Sequence, residues 1–149
     1  MGTAITRATE ADAEIIATIL GEVEQYYGGS AVVVDPEQVR RALFGRWPAA
    51  TVLLSLDGGE VTGLASVSFL WPAAGADTSL YLKELYVREP YRRRGVAQEL
   101  MAAVHAEARA TGCSRVEWTA DRDNPAALAF YAALGVAPNG GKIFYRSQV

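Results

Sequence analysis

The chain has little of the residues that several kinds of active site require. Its 149 residues include one cysteine, Cys113, and one histidine, His105. A lone cysteine forms neither an internal disulfide nor a Cys-x-x-Cys pair, and a lone histidine cannot build a histidine-rich metal cluster. We therefore expect a site without a metal ion or a redox dithiol. The absence of a disulfide framework favours the reducing cytoplasm.

Several larger patterns are missing as well. No apolar run is long and uninterrupted enough to span a bilayer, the N-terminus lacks a signal-peptide layout, and neither repeats nor low-complexity segments occur. The glycine-rich strings that bind dinucleotides and nucleoside triphosphates are absent too. Because 50% of the residues are hydrophobic, residues 1–149 can bury a full core. We expect one globular domain without a membrane partner.

Acidic residues slightly outnumber basic ones, and one short segment concentrates positive charge. The formal net charge is −3, which argues against a general nucleic-acid-binding surface, because such surfaces are basic along a whole face. Three consecutive arginines nevertheless stand in one short segment, Arg92, Arg93 and Arg94, followed by Gly95. Local positive charge in an acidic protein indicates a small anionic ligand.

Apolar spacing predicts a mixed α/β chain. Helical spacing runs over residues 10–27, 36–44, 96–111 and 125–134, and strand-like patterns run over residues 51–56, 61–71, 80–87, 115–120 and 142–146. Residues 57–59 form a predicted hairpin turn. The alternation slips between Leu82 and Leu85, which predicts a β-bulge near Glu84. Residues 80–120 then form a βαβ crossover whose two strands are parallel.

The arginine segment lies where a predicted strand gives way to a predicted helix. Backbone amides at a helix N-terminus lack intrahelical partners and carry the positive end of the macrodipole, so they stabilise a phosphate group. Gly95 permits the backbone to approach such a ligand closely. Taken alone, however, an Arg-x-x-Gly-x-Ala string is more often a solvated basic turn.

Further motifs follow in a fixed order: Leu85-Tyr86-Val87, the segment of residues 91–97, Asn124-Pro125-Ala126 and Phe130-Tyr131. In order and spacing they resemble the GNAT N-acetyltransferase superfamily over nearly the whole chain. The resemblance implies a single-domain α/β (α+β) fold with a mixed central sheet of about six or seven strands, about four flanking helices and a splayed pair of parallel strands. It also implies direct transfer of the acetyl group of acetyl-CoA to a primary amine.

The resemblance assigns residues to an acetyl-CoA site. The amides of residues 93–97 would hold the pyrophosphate, and the acetyl-pantetheine arm would run along residues 85–87. Asn124 would either contact the coenzyme or cap its own helix, or do both. The expected coenzyme-binding residues are Leu85, Tyr86, Val87, Arg92, Arg93, Arg94, Gly95, Val96, Ala97, Asn124 and Tyr131.

Two residues are expected to carry protons. Tyr131 matches the family's general-acid tyrosine, and a phenol with a reference pKa of about 10 suits a thiolate leaving group. Its helical spacing with Leu128 and Leu134 fits a core tyrosine as well. Glu84 is the candidate general base, because it lies on the strand expected beside the thioester. A solvated strand carboxylate is the alternative for Glu84.

The acceptor is expected near the end of the first helix. Tyr26 and Tyr27 supply aromatic faces and Glu22 a carboxylate, which together suit a cation; with Glu84 they are the expected substrate-binding residues. An exposed helix acid is the alternative for Glu22. Parts of the chain look similar to the polyamine and thialysine acetyltransferase branch, but Lys83 stands where that branch often has an acid. We therefore expect a small polyamine-like or amino-acid-like amine.

Other functions stay open at this point. A protein or peptide N-acetyltransferase is the nearest alternative, and a non-catalytic acyl-CoA-binding module is the next. The acidic net charge disfavours a nucleic-acid partner. Members of the family often dimerise, and the apolar run of residues 143–145 fits either a homodimer contact or an interior strand.

Overall fold

A five-stranded sheet organises the part of the chain that the computed structural model describes, residues 3–149. Its strands are β1 (Thr3–Arg7), β2 (Thr51–Asp57), β3 (Glu60–Leu70), β4 (Ser79–Val87) and β5 (Arg115–Trp118). The α-helices are α1 (Ala13–Gly28), α2 (Pro36–Phe44), α3 (Val96–Ala110) and α4 (Pro125–Ala133). Single 3-10 turns precede α1 at Glu10–Asp12 and follow β4 at Glu89–Tyr91.

The chain divides into two compact units. The first unit ends at Trp118 and contains the five strands together with α1, α2 and α3. The second unit is Thr119–Val149 and contains α4. Among residues 3–149, none of the helices is both long enough and apolar enough to cross a membrane.

Local capping chemistry sets the ends of the early helices. The amide of Thr9 donates to Asp12 Oδ2 at 2.8 Å, which is half of the capping box before α1. The Asp35 side chain accepts from the Glu37 amide at 2.9 Å and starts α2. Gly29 ends α1 in the left-handed conformation, with φ of 75°.

The strand order is the sequence order, β1-β2-β3-β4-β5. Neighbours from β1 to β4 are antiparallel, whereas β4 and β5 are parallel and α3 connects them. The β2–β3 hairpin turns at Gly58 and Gly59, whose φ values of 59° and 87° fit a type I′ turn. The predicted hairpin and the predicted βαβ crossover are both confirmed.

Different helices cover the two faces of the sheet. Leu54, Leu64 and Tyr86 face one side and belong to one buried cluster with residues of α1 and α2. Gly63 points to the other side, where a Cβ on it would lie 3.3 Å from Leu100 Cδ1 of α3. A close approach of β3 to β4 and α3 therefore depends on the missing side chain of Gly63.

The predicted β-bulge lies in β4. Ser66 pairs with Glu84, but the next residue of β3, Val67, pairs with Leu82, so Lys83 is the extra residue. This insertion explains the slip in the alternation, because it turns Leu82 to the same side of the sheet as Leu85. The bulge prediction is confirmed.

Two predictions about strands need correction. The described residues form five strands rather than six or seven, and residues 142–146, predicted as a last strand, have no strand structure. No strand occurs elsewhere in the second unit, so this apolar run has no ladder partner there. In contrast, β1 was not predicted, because most of its residues are exposed and it lacks a buried apolar alternation.

Replacing Gly63 by alanine should destabilise the protein by about 1–3 kcal/mol, because the new Cβ would lie 2.7 Å from the Tyr86 carbonyl oxygen. Urea denaturation measures the change. The matched control is Gly28→Ala at the end of α1, where nothing lies within 4 Å of a Cβ and alanine should be neutral or stabilise by up to about 1 kcal/mol. Equal midpoints for the two variants would contradict the close packing at Gly63.

Candidate active site

The turn before α3 exposes a set of unpaired backbone amides. Gly95 is the N-cap, with φ of 79°, and the first hydrogen bond of α3 runs from the Glu99 amide to the Gly95 carbonyl at 3.0 Å. The amides of Val96, Ala97 and Gln98 precede that bond and have no carbonyl within the helix to receive them. They form a position suited to an anion such as a phosphate group.

The backbone of this turn is unusual at a second residue. Arg93 has a φ of 63°, the one positive φ of a non-glycine residue among residues 3–149. Alternation of left-handed and ordinary residues turns successive amides toward one side and forms an anion-binding concavity. Arg93 and Gly95 therefore shape the turn, while the exposed side chains of Arg93 and Arg94 add positive charge.

Arg92 differs from the other two arginines of the turn. It is half-buried, its Nε donates to the Val87 carbonyl at 2.9 Å and its Nη2 donates to the Tyr86 hydroxyl at 3.2 Å. Its guanidinium carbon also lies 5.2 Å from the ring centre of Tyr26 and 5.4 Å from that of Tyr86. Arg92 is thus held by β4 and α1, whereas Arg94 contacts the Tyr91 ring at 5.8 Å.

Tyr86 is buried beneath this arginine. Its ring meets that of Tyr26 edge to face, with centres 6.1 Å apart. Burial raises the pKa of the Tyr86 phenol, and the positive charge of Arg92 offsets part of that rise. Its side chain therefore belongs to the core and to the Arg92 contact, and only its backbone lies along the edge of β4.

The pairing of β4 with its neighbours changes at the bulge. Parallel pairing joins Ser79 to Leu82 with Arg115 to Trp118, and it ends there although β4 continues to Val87. Within the first unit, the last five residues of β4 have β3 on one side and no strand on the other. A strand edge without a partner presents backbone donors and acceptors that a bound ligand can use.

Glu84 lies at the start of this open edge. Its pairing with Ser66 puts it on the same face as Tyr86, two residues further along β4, and that face is covered by α1 and α2. Leu85 and Val87 face the other side, toward α3. Glu84 is half-buried as a residue, and it combines a charged group with a position beside the open strand edge.

The Glu22 side chain forms an ion pair with Arg88. Its carboxylate receives hydrogen bonds from Arg88, with Nη2–Oε2 of 2.9 Å and Nε–Oε1 of 3.2 Å. The side chains are 30% and 22% exposed, and the contact with Glu22 raises the pKa of Arg88. Arg88 also donates to the Val61 carbonyl at 3.2 Å. The pair therefore joins α1 to the ends of β3 and β4.

Tyr26 and Tyr27 form an aromatic end to α1. Their rings meet edge to face with centres 5.0 Å apart, and both side chains are about half-exposed. Residues 31–36 lie along the same helix and enclose with it a groove of about 460 Å³. Gly21 makes this approach possible, because a Cβ there would lie 2.7 Å from the Val32 carbonyl oxygen. The end of α1 and the following loop are thus packed together.

Asn124 and Tyr131 lie in the second unit. Asn124 is the N-cap of α4, as predicted, and its Oδ1 accepts from the Ala127 amide at 3.2 Å. Tyr131 lies on α4, and its ring is tilted against that of Phe130 with centres 5.3 Å apart. Their roles toward the coenzyme and the leaving group stay predictions.

The sequence reasoning missed the role of Arg88, and it missed that Arg92 is partly buried whereas Arg93 and Arg94 are exposed. Both depend on contacts with α1, more than sixty positions earlier in the chain. The available signal was the four-residue spacing of Glu22 and Tyr26, which matches that of Arg88 and Arg92. In residues 3–149, no group of three or more histidine, cysteine, aspartate and glutamate side chains is arranged to hold a metal ion.

Comparison with known proteins identifies the family. The model of the Acetyltransferase (GNAT) family matches residues 20–136, which is most of the chain. The chain therefore belongs to the GNAT acetyltransferase family, and the prediction of an acetyl-CoA-dependent N-acetyltransferase is confirmed at that level. The specific polyamine branch stays a prediction.

Curated relatives act on different amines. The chain is 28% identical over 129 residues to a D-amino-acid N-acetyltransferase of Saccharomyces cerevisiae, covering 83% of this chain and 78% of that enzyme. It is 31% identical over 115 residues to an aminoglycoside N(6')-acetyltransferase of Serratia marcescens, covering 75% and 78%. An L-ornithine N5-acetyltransferase of Arabidopsis thaliana is 37% identical over 65 residues, which span 44% of this chain and only 28% of the plant enzyme.

A solved structure shares the whole fold. An integron cassette protein from the mobile metagenome of V. cholerae superposes with a TM-score of 0.86 at 27% identity, over 100% of this chain and 94% of that one. The predicted α/β fold with a parallel strand pair is confirmed, with the smaller number of strands described above.

Replacing Glu22 by glutamine should lower the free energy of unfolding by about 1–2 kcal/mol, because it removes a partly buried, charge-assisted contact with Arg88. Urea denaturation measures the loss, which should shrink at high salt. Glu24→Gln makes the same chemical change at an exposed position of α1 and should cost less than about 0.5 kcal/mol. Equal losses in the two variants would contradict a stabilising role of Glu22.

Alkaline pH should destabilise the protein through Tyr86. The folded pKa of Tyr86 is raised above its unfolded value of about 10, so its contribution is complete below that pH and is lost as the pH rises through the folded value. The free energy of unfolding of the wild type should therefore fall relative to Tyr86→Phe above about pH 10. Urea denaturation from pH 8 to 11 tests this, and parallel pH profiles would contradict it.

Proposed function

We propose that the protein transfers the acetyl group of acetyl-CoA to a primary amine of a small molecule. One observation carries the proposal: in a chain of the GNAT family, the free amides at the start of α3 follow, after one short connection, the strand whose parallel pairing ends at Leu82. A phosphate position and an open strand edge are the two features that a long, phosphorylated thioester requires at one site.

The turn fits the pyrophosphate of the coenzyme. The amides of Val96, Ala97 and Gln98 are the proposed donors, and the exposed Arg93 and Arg94 add charge around them. The pantetheine arm is proposed to run along residues 85–87, whose edge faces away from β3. Acetyl-CoA supplies the activated acetyl group; the chain binds it, orients it and moves protons.

Glu84 is the proposed general base. An amine attacks only in its neutral form, so a proton must leave the ammonium group before or during attack. Glu84 lies beside the open edge of β4 and faces α1, which is the side where Tyr26 lies. This placement supports removal of the proton directly or through one water molecule. Tyr131 is the proposed general acid for the departing thiolate, and that assignment depends on the resemblance of α4 to the family.

The acceptor is proposed to bind near the aromatic end of α1. Tyr26 and Tyr27 offer two half-exposed ring faces, and aromatic faces attract an ammonium group. Because the Glu22 carboxylate is held by Arg88, we assign it to shaping this end of α1. The named activities of the amino-acid and aminoglycoside relatives support a small amine.

The experiment is a thiol-release assay with acetyl-CoA and a panel of polyamines, L- and D-amino acids, aminoglycosides, peptides with free N-termini and lysine peptides. Turnover with small amines and none with peptides is the expected result. Turnover with peptides alone would establish the alternative of a peptide N-acetyltransferase. Binding of acetyl-CoA without turnover on any amine would establish a non-catalytic acyl-CoA-binding module. The homodimer and the cytoplasmic location stay predictions, and light scattering measures the first.

Replacing Glu84 by glutamine should lower kcat by about 10²–10⁴-fold, the usual contribution of a general base, while the Kd for CoA changes little. Tyr131→Phe should lower kcat in the same way if the phenol protonates the thiolate. Stopped assays with the best amine and calorimetry with CoA separate the two quantities. An unchanged kcat for either variant would remove that residue from its assigned role.

A further inference from the structure

The three arginines before Gly95 have different surroundings. Arg93 and Arg94 are exposed, whereas Arg92 is half-buried and donates to the Val87 carbonyl and the Tyr86 hydroxyl. These two hydrogen bonds use two of the five N–H donors of Arg92 and fix the direction of its guanidinium. Arg94 contacts the Tyr91 ring, but both Arg93 and Arg94 are exposed, so these two side chains are proposed to add charge near the pyrophosphate.

Arg92 also reaches the first helix. Its guanidinium lies over the Tyr26 ring of α1 at 5.2 Å and over the Tyr86 ring of β4 at 5.4 Å. The two ring centres are 6.1 Å apart, so the guanidinium lies beside both rings and is attracted by both. One side chain of the turn therefore contacts both the end of β4 and the end of α1.

A second arginine of this segment contacts α1 one helical turn away. Arg88 binds Glu22 with Nη2–Oε2 of 2.9 Å, four residues before the contact of Arg92 with Tyr26 on both segments. The two arginines flank the 3-10 turn Glu89–Tyr91. The segment that leads into the anion-binding turn is thus fastened to α1 at two successive positions.

We propose that Arg92 is a positioning residue, not a phosphate ligand, and that it couples coenzyme binding at the turn to the order of the Tyr26–Tyr27 end of α1. This inference rests on the proposed acetyl-CoA site. An anion on the amides favours the conformation of the turn in which Arg92 contacts both rings. The guanidinium of Arg92 in turn holds Tyr26, and with it the surface proposed for the amine.

The test compares Arg92→Met with Arg94→Met, two variants with the same change in the same turn. CoA affinity is measured by calorimetry over a range of salt concentrations, and hydrogen exchange is measured for residues 23–29 with and without saturating CoA. In the wild type, CoA should slow exchange in this segment. Arg94→Met should bind CoA with a weaker salt dependence, because one exposed charge is lost, and still show the slowing.

Arg92→Met should show the opposite pattern. Its salt dependence of CoA binding should equal that of the wild type, its affinity should fall about tenfold through poorer order of the turn, and the slowing of exchange at residues 23–29 should disappear. If Arg92→Met instead weakens the salt dependence as Arg94→Met does and keeps the slowing, the proposal is overturned.

Variants of Tyr26 test the proposal independently if Arg92→Met folds poorly. Tyr26→Leu removes the ring at a half-exposed position and should abolish the slowing with little loss of CoA affinity. Tyr26→Phe keeps the ring face and should restore the slowing, a rescue that a general loss of stability would not produce. Slowing that persists in Tyr26→Leu would also overturn the proposal.

The outcomes separate this inference from the function on which it rests. If the wild type does not bind CoA, the proposed function fails. The Arg92 contact is then tested in the free protein, where Arg92→Met and Tyr26→Leu should each speed exchange of residues 23–29, and the double variant should add little more. If the effects in the free protein are absent or simply additive, the contact itself is refuted.

Discussion

The site depends on a change of neighbours along one strand. Strand β4 is paired on both sides from Ser79 to Leu82, and beyond the bulge at Lys83 it keeps β3 and loses β5. Because a bulge shifts the alternation by one residue, the hydrophobic side chains before and after it stay on the α3 side while Glu84 and Tyr86 turn toward α1. The same residue insertion therefore aims a carboxylate at the helix and precedes an edge where a ligand can take the place of a strand.

The arginines that follow β4 have two kinds of environment. Arg88 and Arg92 are partly buried, and each has partners on α1 and at the ends of the strands. Burying an arginine is tolerable only with such partners. Arg93 and Arg94 stay exposed beside the free amides of α3. Of these four arginines within seven residues, Arg88 and Arg92 thus fix the conformation of the turn, and Arg93 and Arg94 give it positive charge. The difference arises because α1 contacts the first two side chains.

Much of the fold follows from local chemistry. The cap at Asp35, the paired glycines of the β2–β3 hairpin and the bulge near Glu84 are all readable because each is decided within a few residues. The strand errors have the opposite cause. Strand β1 forms because β2 offers it a ladder, and residues 142–146 form none in a unit without another strand. Strand identity is a property of a pair, so a single segment cannot determine it.

The sequence by itself determined the family, the four helices and the βαβ crossover, because motif spacing and glycine positions act over short distances. It could not distinguish the roles of identical side chains. Arg92 and Arg94 stand two residues apart in the same basic string, and only the return of α1 beside β4 makes one of them a buried contact. Likewise the sequence offers Glu22 as a substrate-binding carboxylate or an exposed helix acid, and only the fold places Arg88 against it. Tertiary structure decided these roles, because the environment of a charge is set by neighbours far away in the chain.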